Sequence, residues 1–216
     1  INMKKIIIST TMVATLFSVQ ASAAMEGFIG IDAAYSNMDI KSTALVVSGT
    51  ATASGVTLSA GDSFSYTSDG SDTAPVIKLG VIIDDTHRAY IKYGSWKDQG
   101  VKVVNTTANY DYLIKLNNTK LVPFIGVNAG YTKVEDEFDK MTGMTYGIQA
   151  GAIYPLGDGF EFEVNAGYSG YNADKTYTSP TINGTSSGVT FNNFVGSVKL
   201  EVESSTFISA GINYRF

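Results

Sequence analysis

The chain of 216 residues contains no cysteine. Disulfides, thiolate metal sites and a lipidated cysteine anchor are therefore all excluded. Histidine is represented once, by His87, so chemistry that needs a histidine base has a single candidate. A basic excess is missing too, with 15 Lys and Arg against 20 Asp and Glu, which argues against nucleic acid or an anionic surface as partner. After Ala24 no run of about 18 apolar residues occurs, so no helix in that stretch is suited to crossing a membrane. What remains open is a soluble β protein or a barrel.

The abundant residues favour strands: 22 Gly and 13 Tyr fit a twisted sheet with aromatic belts. At the N-terminal end, Met3-Lys4-Lys5 reads as a basic start, Ile6 to Val19 as a largely apolar stretch, and Ala21-Ser22-Ala23 as a small-x-small cleavage site. Residues 1–23, with Ile1 and Asn2 upstream of the initiator-like Met3, are thus expected to be a cleaved export signal. The mature protein is expected to span 24–216. Loss of Lys4 and Lys5 takes the net charge from −5 to −7.

Beyond the signal, apolar residues alternate with polar ones at period two, the pattern of strands with two unlike faces. The first segment carries Ile29, Ile31, Ala33 and Tyr35 on one face. Six more run over about 75–84, 88–96, 102–116, 124–131, 142–154 and 160–169. The last alternates through Ile208, Ala210, Ile212, Tyr214 and Phe216. Residues 194–202 alternate as well, and a turn at Glu203-Ser204-Ser205 would make nine strands. The shared even phase of Phe194, Val198, Leu200 and Val202 with Ile208 to Phe216 favours one long last strand and eight in all. Connections of 38–74, 133–141 and 172–193 are long, whereas those after the second, fourth and sixth segments are short.

Aromatic side chains mark both ends of the apolar stripes. Tyr35, Tyr93, Tyr131, Tyr146 and Tyr168 lie toward the long connections, and Tyr112, Tyr154, Phe160, Tyr214 and Phe216 toward the short turns. Two such girdles are expected where a barrel meets both membrane interfaces. The expected fold is an all-β, eight-stranded, antiparallel up-and-down transmembrane barrel with short periplasmic turns and longer external loops.

The start Gly27-Phe28-Ile29-Gly30, the strand Pro123 to Tyr131 and the end Gly211 to Phe216 resemble the small eight-stranded outer-membrane barrels typified by the OmpA transmembrane domain and OmpX. The resemblance spans the mature chain in architecture. It implies location in the outer membrane of a Gram-negative bacterium, in contact with membrane lipid and lipopolysaccharide. It also implies periplasmic chaperones and a barrel-assembly machinery that reads the terminal strand, with Tyr214 and Phe216 as the assembly signal. OmpA continues into a peptidoglycan-binding domain, but this sequence stops at Phe216, so no cell-wall attachment is carried over.

The inward phases carry charges of both signs: Asp32, Lys78, Lys92, Asp111 and Glu163 near mid-height, with Arg88, Lys115, Glu161 and Arg215 nearer the turns. Away from bulk water such groups need partners. Two readings follow, a salt-bridged structural filling or a gate whose pairs rearrange to pass small ions. Barrel enzymes of the resembling class place their sites at the outer or lipid-facing side, so His87, in the expected periplasmic turn, reads as an exposed turn residue. No catalytic residue, cofactor or metal is expected. The acidic run Glu135 to Asp139 lacks the ligand spacing of a calcium loop. The apolar stretches Ala44 to Val47 and Val56 to Leu58 can form an external hairpin whose edge recruits a partner strand. The expectation is a monomeric, non-enzymatic envelope protein with surface loops for interaction or adhesion, and a small gated pore is the alternative.

Overall fold

The computed structural model describes residues 24–98, 101–135 and 140–216. The expected export signal, the Gln99-Gly100 connection and most of the acidic run lie outside the described residues. Ten strands form: β1 (Met25–Ala53), β2 (Val56–Ser59), β3 (Ser63–Ile83), β4 (His87–Asp98), β5 (Val101–Leu113), β6 (Val122–Glu135), β7 (Lys140–Gly157), β8 (Phe160–Thr178), β9 (Ile182–Ser186) and β10 (Val189–Arg215). Eight of them, β1, β3 to β8 and β10, pair antiparallel with their neighbours, and β1–β10 pairing closes the ring. The short β2 and β9 pair only with the far ends of β1 and β10.

Register fixes the shape of the ring. Following paired residues from Phe28 through Gly80, Tyr90, Asn109, Asn128, Gly147, Ser169 and Ser205 returns to β1 at Met38, ten residues above the start. A closed sheet must stagger in this way, and it ties strand tilt to diameter, with tilts typically about 35–45°. Every non-glycine residue on that circuit is buried. The circuit is therefore an inward row.

Local chemistry supports the tight ends. Asp84 and Asp85 both have positive φ (51° and 52°), and the Thr86 amide donates to Ile83 O at 3.1 Å. Asp158-Gly159 repeats the pattern at the β7–β8 turn, as Ser54-Gly55 and Ser187-Gly188 do at the two opposite hairpins. Successive positive φ values suit the twist of two-residue hairpins, and Asp, Asn and Gly tolerate them best. β5 ends at Leu113, three residues before the expected boundary, although the Ile114 amide still donates to Pro123 O at 2.8 Å.

The region expected as a long loop over 38–74 is mostly ladder, because β1 and β3 stay paired out to Leu45–Ser63. The last strand is one continuous element from Val189, which settles the eight-strand count of the ring. Its phase, however, breaks. Ile40 pairs with Val202 and Asp39 with Ser204, leaving Glu203 as an extra residue in β10. A bulge of this kind switches the facing of everything beyond it. Below it Ser205, Ser209 and Asn213 point inward, and above it Val202 does, at 2% exposure. The expected unbroken even-numbered outer face from Phe194 to Phe216 is therefore corrected: Val202, Leu200 and Val198 belong to the inner side.

Inside the ring the filling is layered. At the turn end Phe28, Ile82, Tyr90, Leu113, Phe124 and Ile153 form an apolar cluster with Val122. At the opposite mouth Met38, Val103, Tyr171, Ala173 and Val202 form a second, packed by Ile40, Val134 and Met141. Polar and charged residues occupy the space between. The outer surface is the reverse of a soluble protein, with Ile29, Ile31, Ile77, Leu79, Ile125, Val127, Ile148 and Ile208 exposed.

Candidate functional site

Arg88 is the centre of the lumen. It is the second residue of β4, fully buried, and its guanidinium donates from Nε (2.9 Å) and Nη2 (2.6 Å) to Asp111 Oδ2 on β5. From Nη1 (2.6 Å) and Nη2 (3.3 Å) it also reaches Glu163 of β8. Glu163 Oε2 is shared with Lys78 Nζ at 3.1 Å and with the Asn213 amide at 2.7 Å. Lys78 bridges onward to Asp32 at 2.8 Å. At the other end of the chain, Gln149 Nε2 donates to Asp111 Oδ1 at 2.5 Å and to the Tyr90 hydroxyl at 2.7 Å. The relay Asp32–Lys78–Glu163–Arg88–Asp111–Gln149 thus links six strands across the barrel, and Asn213 adds a seventh.

The aromatic cluster supports this relay from the turn side. The Arg88 carbon Cζ lies 4.7 Å from the Phe124 ring centre, 4.9 Å from that of Tyr90 and 5.5 Å from that of Phe28. Such stacking suits the weakly hydrated, planar guanidinium. Two inward glycines leave the necessary room: a Cβ at Gly126 would meet the Asp111 carboxylate, and one at Gly211 would meet Asp32.

The remaining charged residues separate from this relay. Lys92 touches no carboxylate within ion-pair distance among the described residues, and its Nζ lies 4.2 Å from the centre of the Phe207 ring. It lines a cavity of about 50 Å3 with Asn105, Thr107, Asn109, Asn128 and Ser205. The carbonyl oxygens of Asn105 and Asn109 have no protein partner, so the cavity is suited to a few ordered waters. With Lys92 counted, three cations (Lys78, Arg88, Lys92) match three anions (Asp32, Asp111, Glu163) in this middle layer.

Arg215 forms a separate clamp at the turn end, bonding Glu26 (2.6 Å), Asp85 (2.5 Å) and Glu161 (3.2 Å). The Arg215 hydrogen bond holds the Asp85 carboxyl below the usual carboxylate range. Lys115 lies past the end of β5, exposed, 3.5 Å from Asp85 and outside the lumen. His87 is not a free turn residue. It opens β4, its Nδ1 lies 2.6 Å from the Tyr110 hydroxyl, and its ring stacks at 6.0 Å on Tyr110 and meets Tyr112 edge-on at 5.7 Å. Apart from the Tyr110 hydroxyl, no side-chain acid or hydroxyl is bonded to it among the described residues.

All ten residues of the two aromatic girdles are exposed on the outer surface. Pattern reading overlooked the apolar clusters capping the lumen. Their signal was present, as bulky Phe28, Ile82, Tyr90, Leu113 and Phe124 on otherwise polar phases near strand ends.

Above the mouth, β3, β1, β10 and β8 continue as a protruding sheet. β4 pairs with β3 only over Val76–Ile83, so residues 63–75 present an edge without a neighbour among the described residues. One inner row across this sheet is Phe64–Ala44–Val198–Tyr177, and the next is Tyr66–Ser42–Leu200–Lys175. Phe64 is 58% and Tyr66 71% exposed. Cross-strand pairs on the opposite face, Lys41–Glu203 at 3.3 Å and Lys199–Asp174 at 3.6 Å, with Thr43–Ser65 at 3.1 Å, brace the extension.

A closed eight-stranded ring, polar within and apolar without, belted twice by aromatics, is the fold of the small outer-membrane β-barrels. No protein-family model matches the chain, and no curated protein does. Among solved structures it is similar to Neisserial surface protein A (NspA), at 16% identity over 89% of this chain and 99% of that one, with a TM-score of 0.54. It is also similar to the outer membrane protein OprG from Pseudomonas aeruginosa, at 16% identity over 88% and 96% of the two chains, with a TM-score of 0.55.

Proposed function

We propose that this chain is a monomeric, non-enzymatic protein of the bacterial outer membrane whose barrel is an anchor and whose protruding sheet is a recognition element. Lipid and lipopolysaccharide surround the belt between the girdles. Export depends on residues 1–23, and assembly on a machinery that reads Tyr214 and Phe216. The charge relay holds the ring closed. The observation that carries the recognition reading is the unpaired edge of β3. Free strand edges are normally blunted by charge, proline or cover, because they invite another strand. Here Asp69, Asp72 and Pro75 guard only the base, while the six residues Ser63 to Ser68 carry no charge and display Phe64 and Tyr66. A partner strand is expected to be extended, apolar opposite Phe64 and Tyr66, and basic opposite Asp69 and Asp72.

The test uses intact cells displaying the protein at equal surface levels. At adjacent positions Ser65 and Tyr66, one backbone N–H faces β1 and the other faces the free edge, so proline at the edge-facing position removes the docking donor and spares the ladder. Retention on immobilised extended basic peptides is expected to fall about tenfold with that variant. Equal retention of variant and wild type would remove strand addition as the mode of recognition.

A further inference from the structure

The lipid-facing surface carries a hollow that neither anchoring nor strand addition uses. On β5 to β8 the register row Tyr112–Ile125–Ala150–Ala166 places two alanines side by side. With Tyr110 and Tyr168 standing around them, they floor an apolar groove of about 750 Å3, within the roughly 300–1,000 Å3 of small-ligand sites. Tyr112 adjoins the turn-end limit of β5, whereas Ala166 lies six residues up from the start of β8. Because rows in a staggered barrel climb relative to the membrane plane, the groove runs obliquely from Tyr112 of the turn-side girdle to Tyr168 of the opposite one. A polar group stands beside its foot, on β4 in the same register row as Tyr112. His87, fixed through Nδ1 by Tyr110 and against Tyr112, leaves Nε2 without a protein partner among the described residues.

We propose that this groove seats one acyl chain of a phospholipid from the leaflet on the turn side, with the lipid phosphate hydrogen-bonded by His87 Nε2. The inference rests on the membrane reading above. Lipid tails are as apolar as leucine side chains, so burial alone gives no preference for this site over bulk bilayer. Selectivity comes instead from filling a concave surface that a straight neighbouring chain would leave poorly packed, and from the donor at the groove's foot. Lipopolysaccharide would need its donor at the long-loop end, whereas His87 stands at the turn end, as the first residue of β4.

The experiment is native mass spectrometry of the refolded full barrel released from nanodiscs of phosphatidylethanolamine and phosphatidylglycerol, with and without added lipid A. Wild type is expected to retain one phospholipid. The paired change Ala150→Leu and Ala166→Leu, which fills the floor, is expected to lower that retention about tenfold, and His87→Ala to lower it several-fold. Ala33→Leu, outward on the other side of the barrel, is expected to leave it unchanged. Retention equal in all variants, preference for lipid A, or no phospholipid on wild type would overturn the proposal. Failure of wild type to insert into the nanodiscs would instead overturn the membrane reading itself. Heat-dependent gel mobility confirms that each variant is folded.

Discussion

At the scale of single residues, Arg88 and Glu163 are the pair on which the lumen depends. Each is nearly inaccessible to water, and each holds two oppositely charged partners. Exchanging a complete buried pair for apolar groups is often tolerated, but removing one member strands the others, at about 3–5 kcal/mol. Arg88→Met leaves Asp111 and Glu163 without their shared cation, so its unfolding free energy, from urea titration in lipid vesicles, is expected to fall by that amount. The double change Arg88→Met with Glu163→Gln is expected to cost less than the sum of the single changes, which a double-mutant cycle measures. Strict additivity, or single losses below about 1 kcal/mol, would show that the relay is not what holds the ring. Lys92 provides the internal contrast. It faces Phe207 and a water-sized cavity rather than a carboxylate, so its replacement by Met is expected to be milder.

At the scale of elements, the bulge at Glu203 decides which side chains the protruding sheet shows inward. Deleting Glu203 would join the two halves of β10 in one phase. Either Val202 then leaves the upper apolar cluster or Ser205 and Ser209 leave the lumen, since a one-residue slip exchanges the two faces. The membrane half has more to lose, so the expected result is a folded, heat-modifiable barrel whose outer sheet is cut rapidly by added protease. A deletion variant with wild-type protease resistance would mean that the bulge carries no register information. The same bulge marks the limit of what the sequence makes legible. Strand existence, inner and outer faces and the girdles follow from period-two alternation, because residues at Ile29, Ile125 or Ile208 have only two directions to point. Glu203 escaped detection because even-numbered apolar residues continue on both sides of it, toward lipid below and toward the inner side above. Ion-pair partners were equally hidden. Lys78 meets Asp32 diagonally through the β1–β3 register and Glu163 from across the barrel, and the second meeting depends on the ten-residue stagger, which no single strand encodes.

At the scale of the whole molecule, the question is whether a charged lumen conducts. Eight strands enclose a space that side chains can fill, and here it is closed three times over, by the Phe28–Phe124 cluster at the turn end, the relay above it, and the Met38–Tyr171–Val202 cluster at the mouth. Rearranging the relay alone would leave ions facing apolar layers on both sides, where an unpaired charge is costly. Wild-type protein in planar bilayers is therefore expected to show no conductance above protein-free controls, and Lys92→Ala or Glu163→Gln alone is expected to remain silent. Opening one end, with Phe28→Ala and Phe124→Ala, gives cavities costing about 3–5 kcal/mol each but keeps the mouth shut. Opening both ends, by adding Met38→Ser and Val202→Ser in a background stable enough to stay folded, is expected to produce discrete conductance steps. Steps in wild type that change with Lys92→Ala would instead mean that the apolar layers part on their own, and the barrel would then have to be regarded as a gated pore as well as an anchor.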